Sequence, residues 1–219
     1  MSDEFIADPH ERLREWHRYY SGKRISHQWF QVHLLKGLEV ETVLEIGPYL
    51  GLVSTMLDNA GYSVTSLDRL PRQHGNDRIA HIQRGLNAVS AEDLAGHDCI
   101  FCCETLEHLP WGDLDRYLRL FHEANPRHVV ISVPFEGFQF NFSIYFNWLT
   151  WRHALALKKL RGFKRFKPSP NPYGHKWEVG YRGHGVRDLE AKLVGAGFRV
   201  RRREFTSLTR SVFYVLDTV

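Results

Sequence analysis

Residues 42–68 place the tightest constraint on how this chain folds. Thr42–Ile46 is short, apolar and β-branched, the composition of a parallel strand buried on both faces. Gly47-Pro-Tyr-Leu-Gly51 follows, and its glycines let the backbone turn sharply into a helix that begins near Leu52. Ser63 to Leu67 reads as the next strand, and Asp68 stands at its end, 21 residues after Gly47. Ligands of open α/β sheets lie beyond the carboxyl ends of the strands, so the glycine turn is expected to line a pocket. An acid at that spacing is placed to accept hydrogen bonds from both hydroxyls of a ribose.

A dinucleotide fingerprint needs a second glycine two residues after the first, so that helix N-terminal amides can approach a pyrophosphate. Here Tyr49 occupies that position. The run Glu45-Ile-Gly47-Pro-Tyr49-Leu-Gly51 instead resembles motif I of the class I S-adenosylmethionine-dependent methyltransferases, whose cofactor carries no phosphate. Further matches follow in order. Cys99 to Cys103 is an apolar strand ending in Glu104-Thr-Leu-Glu-His-Leu-Pro110, similar to the fourth-strand motif of the type 11 and type 23 subgroups. Val129 to Pro134 supplies a fifth strand, Gly185 to Gly195 a helix, and Phe198 to Phe205 and Ser211 to Leu216 the last strands.

The resemblance covers roughly residues 40 to 217. It implies one Rossmann-like, doubly wound domain with a seven-stranded, mostly parallel sheet whose last strand is antiparallel. An N-terminal helical cap over residues 1–39 and an insertion over residues 135–175 complete it. It further implies S-adenosyl-L-methionine as cofactor. Glu45, Gly47, Tyr49 and Gly51 would hold the aminoacyl end, Asp68 and its neighbour Arg69 the ribose, and Glu104 and Thr105 the methionine side. Relatives often place an acid after the third strand, Ala80 to Gln83, to bind the adenine amine; this chain has Arg84-Gly-Leu-Asn87, which leaves Asn87 or a backbone group for that contact. Tyr20, Arg24 and His27 could reach the methionine carboxylate or the substrate from the cap, although aromatics at helical spacing such as Trp16, Tyr19 and Tyr20 more often serve as core.

Phe135 to Trp151 is unusually aromatic, and Lys158 to Lys167 holds six basic residues and no acid. Together they form an insertion of about 40 residues where α/β connections usually have about 2–6. Three readings fit: a lid whose aromatics wall an acceptor pocket, a helix packing its aromatics onto the domain, or a peripheral contact with an anionic membrane through residues 158–167. In the first, Phe135, Tyr145, Trp148, Tyr173 and Trp177 face the acceptor. His175, in the Gly174-His175 pair that the related subgroups carry, is the candidate general base, and His108 a further acceptor-side group or a structural one.

Composition agrees without selecting. Net charge is only +4, the three cysteines have no disulfide or zinc spacing, and no metal site is expected. The first residues lack the basic start and apolar core of a signal peptide, and no run is long enough to span a bilayer, so a cytoplasmic location is expected. The expected activity is methyl transfer to a small, apolar or amphipathic molecule. The alternatives are a cofactor-binding protein without transfer activity, which the loss of glycine at Tyr49 would permit, and a nucleic-acid methyltransferase using the basic clusters at 158–167 and 199–203. The latter is disfavoured because no Asn-Pro-Pro-Tyr-like tetrapeptide follows the fourth strand. An oxidoreductase is least favoured, given the missing dinucleotide fingerprint. Oligomeric state is not legible.

Overall fold

The computed structural model describes residues 6–73, 75–146, 151–159, 165–171, 174–206 and 209–219. Two helices lead in. Asp8 caps α1 (Pro9–Tyr19) by accepting from the His10 amide, and Ser21 caps α2 (Gly22–His33) by accepting from the Arg24 amide. Then come β1 (Thr42–Ile46), α3 (Leu52–Asn59), β2 (Ser63–Asp68), β3 (Ala80–Gln83), α4 (Ala91–Leu94), β4 (Cys99–Cys103), α5 (Leu114–Glu123) and β5 (His128–Pro134). The chain ends with α6 (Val186–Gly195), β8 (Phe198–Phe205) and β9 (Ser211–Thr218), after a hairpin of β6 (Phe138–Phe146) and β7 (Trp151–Lys159).

Seven strands form one sheet in the order β3-β2-β1-β4-β5-β9-β8. β1 to β5 pair in parallel, and β9 runs antiparallel to both β5 and β8, as the sequence leads one to expect. The order reverses between β1 and β4, and crevices at such reversals bind ligands beyond the strand ends.

Alternating side chains feed two cores. Leu44, Ile46, Ile100 and Ile131 pack with α5 and α6 through Leu118, Phe121, Leu189 and Leu193. Val43, Cys99, Phe101 and Val130 point the other way, onto Leu34, Leu35, Val53 and Leu57. Burial of strands on both faces explains why they read as continuous apolar runs.

Within the insertion, residues 138–146 and 151–159 are strands and not a helix. β6 and β7 form an antiparallel two-stranded sheet in register from Phe138↔Lys159 to Phe146↔Trp151, separate from the main sheet. The helical reading is thereby corrected. The cause is in the residues: Phe-Gln-Phe-Asn-Phe-Ser-Ile-Tyr-Phe alternates with period two, the pattern of a strand, which puts Phe140, Phe142 and Ile144 on one face. Of that face, Phe140, Phe142 and Ile144 are 46%, 54% and 44% exposed.

The second basic cluster is not a free patch. Arg199 and Arg201 pair with Asp217, Arg203 with Glu190, and Arg202 with Glu204 and the Leu34 carbonyl.

Candidate cofactor cleft and its acceptor-side wall

At the reversal point the loops after β1 and β4 touch. Gly47 has φ +76°, and a Cβ built on it would lie 2.5 Å from Thr105 Oγ1, so only glycine fits both the backbone and the gap. Thr105 Oγ1 donates to the carbonyls of Cys103 and Ile46, which fastens the two loops together. Gly51 again has φ +76°, and Tyr49, where the family pattern has glycine, is held at φ +50°. The left-handed turn therefore survives the substitution, at a conformational cost of about 1–3 kcal/mol. Tyr49 is tied down by its hydroxyl, which donates to Glu15 at 2.8 Å, and by its ring, 4.6 Å from that of Tyr19. α1 is thus moored to the glycine turn.

Glu45 lies under the turn. It is only 5% exposed and accepts from Ser54 on α3, so it braces the strand-turn-helix from beneath. Burial, with Asp68 nearby, pushes its carboxyl up to about 7 against the opposing Ser54 bond.

Asp68 ends β2, and its Oδ1 accepts from the Leu70 amide. Its carbonyl accepts from the Arg84 amide, which brings the β3 exit alongside. A Cβ on Gly85 would meet Asn87 Oδ1 at 2.7 Å and the Arg69 Cβ at 3.7 Å. Asp68, Arg69 and Asn87 therefore share one corner of the sheet edge, next to the glycine turn. From the cap, Tyr20 is buried, with no hydrogen-bond partner for its hydroxyl among the described residues. Arg24 does not join it in the cleft but stacks on Tyr19 at 4.0 Å.

His27 sits between the cap and β4. Its Nδ1 is 2.7 Å from Thr209 Oγ1 and its Nε2 is 3.7 Å from Glu104 Oε1. Burial pushes the imidazole down to about 4, with Arg24 and Lys23 adding to it, and burial also raises the Glu104 carboxyl. His27 also borders a cavity of about 540 Å³ between α2 and the end of β8, with apolar walls from Ile25, Trp29, Phe30, Met56 and Phe205. A smaller groove of about 330 Å³ between α5 and α6 touches none of the residues named here for the cleft.

Beyond Thr105 the chain enters a 3₁₀ turn, Leu106–His108, and here the structure joins what the sequence separates. Lys176 N–H donates to the Glu107 carbonyl and Trp177 Nε1–H to the Leu109 carbonyl, which clamps residues 175–177 to the turn. Gly180, at φ +100°, packs directly against Glu136, and Val179 bridges to Phe135 beside the end of β5. His175 and His108 then meet edge to face, ring centroids 5.0 Å apart, and the Nε2 of each is 3.9 Å from Glu107 Oε1. His175 Nδ1 is 2.9 Å from Glu178 Oε1. Glu107 is wholly buried, and neither of its carboxylate oxygens has a hydrogen-bond partner among the described residues. Burial and the neighbouring Glu104 push its carboxyl well above the usual range.

Two expected acceptor contacts are corrected. Phe135 is fully buried against Phe205, and Trp177 is fully buried against Trp111, so both are core. An aromatic in a core and one in a pocket wall read alike in sequence. Tyr145 lies in β6 opposite Arg152, while Trp148 and Tyr173 fall outside the described residues. Glu107 is the one acceptor-side group here that the sequence reading does not name; its signal is the Glu104-x-x-Glu107-His108 spacing.

The comparisons with known proteins agree with this geometry. Residues 5–179 match the family model for a methyltransferase domain, Methyltransf_23, and the chain belongs to that family. No curated protein matches. Among solved structures, the 1,6-didemethyltoxoflavin-N1-methyltransferase of Burkholderia thailandensis, with 1,6-didemethyltoxoflavin and S-adenosylhomocysteine bound, is 15% identical with a TM-score of 0.61 over 99% of this chain and 93% of that one. A glycopeptide N-methyltransferase in complex with S-adenosylhomocysteine is 14% identical, TM-score 0.59, over 98% and 99%. The magnesium protoporphyrin IX methyltransferase of Synechocystis PCC 6803 with bound S-adenosylmethionine is 14% identical, TM-score 0.58, over 97% and 92%. These likenesses show the fold.

Proposed function

We propose that the protein is an S-adenosyl-L-methionine-dependent methyltransferase acting on a small apolar or amphipathic acceptor. The observation that carries this reading is the closure of Gly47 on Thr105 at the strand-order reversal, with Asp68 at the next strand end. The cofactor supplies a sulfonium methyl group. Asp68 accepts hydrogen bonds from the ribose hydroxyls, and Arg69 and Asn87 flank the adenine side. The Gly47–Gly51 turn approaches the aminoacyl end without side-chain interference, and Tyr20 closes over it. Glu104 and Thr105 bound the methionine side. An acceptor lone pair forms the new bond to the methyl carbon as the carbon–sulfur bond breaks, and the electron pair stays on sulfur. Positive charge disappears in that step, so alignment and exclusion of water are what the protein contributes.

The apolar cavity beside His27 supports a small apolar acceptor. The hairpin adds a preference for amphipathic molecules met at a membrane. Phe140, Phe142 and Ile144 line one exposed face of β6, and exposed Arg165 and Lys167 lie past the end of β7, in the basic run 158–167. Apolar side chains beside basic ones suit an anionic lipid surface. Among the described residues no helix is long and apolar enough to cross a membrane, so this contact is peripheral. The test is production of S-adenosylhomocysteine from S-adenosylmethionine over a panel of aromatic and amphipathic acceptors, with and without anionic vesicles. Turnover with at least one acceptor class is expected; none across the panel, from protein that binds the cofactor, would favour a binding protein without transfer activity.

A further inference from the structure

We propose that Glu107, His108 and His175 hold a divalent transition-metal cation, Zn²⁺ or a close relative, on the acceptor side of the cleft. One oxygen or nitrogen from each of the three lies within 4.8 Å of the others. Two imidazoles and a carboxylate suit Zn²⁺, Mn²⁺, Fe²⁺ and Co²⁺, and three protein ligands leave a position open to a further molecule.

Four features mark the cluster as built for an ion. Glu107 is a fully buried carboxyl whose oxygens find no donor beyond its own backbone among the described residues, an arrangement costly enough that native proteins compensate it with a partner or a cation. The pairing of His175 Nδ1 with Glu178 Oε1 sets the tautomer: the N–H on Nδ1 donates to Glu178, and the lone pair on Nε2 faces Glu107. That carboxylate–imidazole pairing is the usual outer support of a metal-bound histidine. Two hydrogen bonds, from the Lys176 amide to the Glu107 carbonyl and from the Trp177 indole to the Leu109 carbonyl, hold both ligand-bearing segments together across 67 residues of sequence. Finally, Nε2 of each histidine stands 3.9 Å from the same oxygen, Glu107 Oε1. Tetrahedral ligands at about 2.0–2.1 Å from zinc are about 3.3 Å apart, so small side-chain rotations close the set.

The site deepens the methyltransferase reading and rests on it for its purpose. The 3₁₀ turn carrying Glu107 and His108 directly follows Thr105, which puts the cluster beside the loop that joins the glycine turn. A cation there selects acceptors with an oxygen donor and gives His175 a ligand's role in place of the general base expected from sequence.

The test uses the full chain stripped with a chelator and then titrated with Zn²⁺ by calorimetry and with Co²⁺ by visible absorption. One equivalent of each is expected to bind, with a ligand-field band for Co²⁺ of tetrahedral or five-coordinate intensity. His108→Ala/His175→Ala should weaken binding at least 100-fold, and Glu107→Gln at least 10-fold, with circular dichroism reporting that each variant is folded. Because Glu107→Gln keeps the shape of the side chain, it covers the case in which the double variant unfolds. Absence of stoichiometric binding by wild type, or binding unchanged in the folded variants, would overturn the proposal. S-adenosylhomocysteine titrated into the same metal-free protein reads the cofactor cleft separately, so failure of the metal site and failure of the methyltransferase reading remain distinct results.

Discussion

Gly47 and Thr105 meet where the sheet reverses its strand order: a Cβ on the first would stand 2.5 Å from the hydroxyl of the second. That contact joins the loops after β1 and β4, the two that must part around a ligand, and it accounts for glycine being kept at position 47 while position 49 tolerates tyrosine.

Gly47→Ala should therefore destabilise the protein by about 1–3 kcal/mol through its left-handed backbone alone, and weaken S-adenosylhomocysteine binding at least 10-fold. Adding Thr105→Ala removes the collision but not the backbone strain, and should restore part of the stability. Urea unfolding and calorimetry read both effects. Wild-type affinity in Gly47→Ala would remove this contact from the account.

Glu45→Gln separates a buried carboxyl from its charge. Its folded pKa, about 7, lies above its value in the unfolded chain, so the folded state holds the proton more tightly and stability falls as pH rises through this window. The variant should match wild type near pH 5 and exceed it by on the order of 3 kcal/mol at pH 8 in urea unfolding. An equal difference at both pH values would show that Glu45 does not titrate there.

His27 has the opposite sign. Its folded value near 4 lies below that of an unfolded histidine, so the unfolded chain takes up the proton first and wild type loses stability as pH falls from about 6.5 to 4. Relative to His27→Gln, that loss should reach on the order of 3 kcal/mol at the acid end. Parallel stability curves for the two proteins would contradict the buried, neutral imidazole.

The membrane contact is tested by Phe140→Ser/Phe142→Ser. Wild type should co-sediment with vesicles rich in anionic lipid, less so at high salt, and the variant several-fold less at any salt. Equal sedimentation of the two proteins would leave the exposed face of β6 without this role.

The strand-turn-helix of residues 42–68 was legible because its signals are local: an apolar run, two glycines and an acid at fixed spacing. The hairpin is equally local, but the density of aromatics on both parities of the segment, Tyr145 among them, obscures its alternation. The meeting of His108 with His175 carries no spacing signal, because hydrogen bonds from the Lys176 amide and the Trp177 indole create it after folding. The burial of Trp177 and the neutralisation of Arg199 and Arg201 by Asp217 depend in the same way on tertiary neighbours.

The cofactor cleft is tested most directly by calorimetric titration of the protein with S-adenosylmethionine, S-adenosylhomocysteine and NADH, beside Asp68→Ala shown to be folded by circular dichroism. The account predicts micromolar binding of both adenosyl ligands, none of NADH, and a loss of at least 10-fold in the variant. No binding of either adenosyl ligand by wild type, or equal binding by Asp68→Ala, would contradict it.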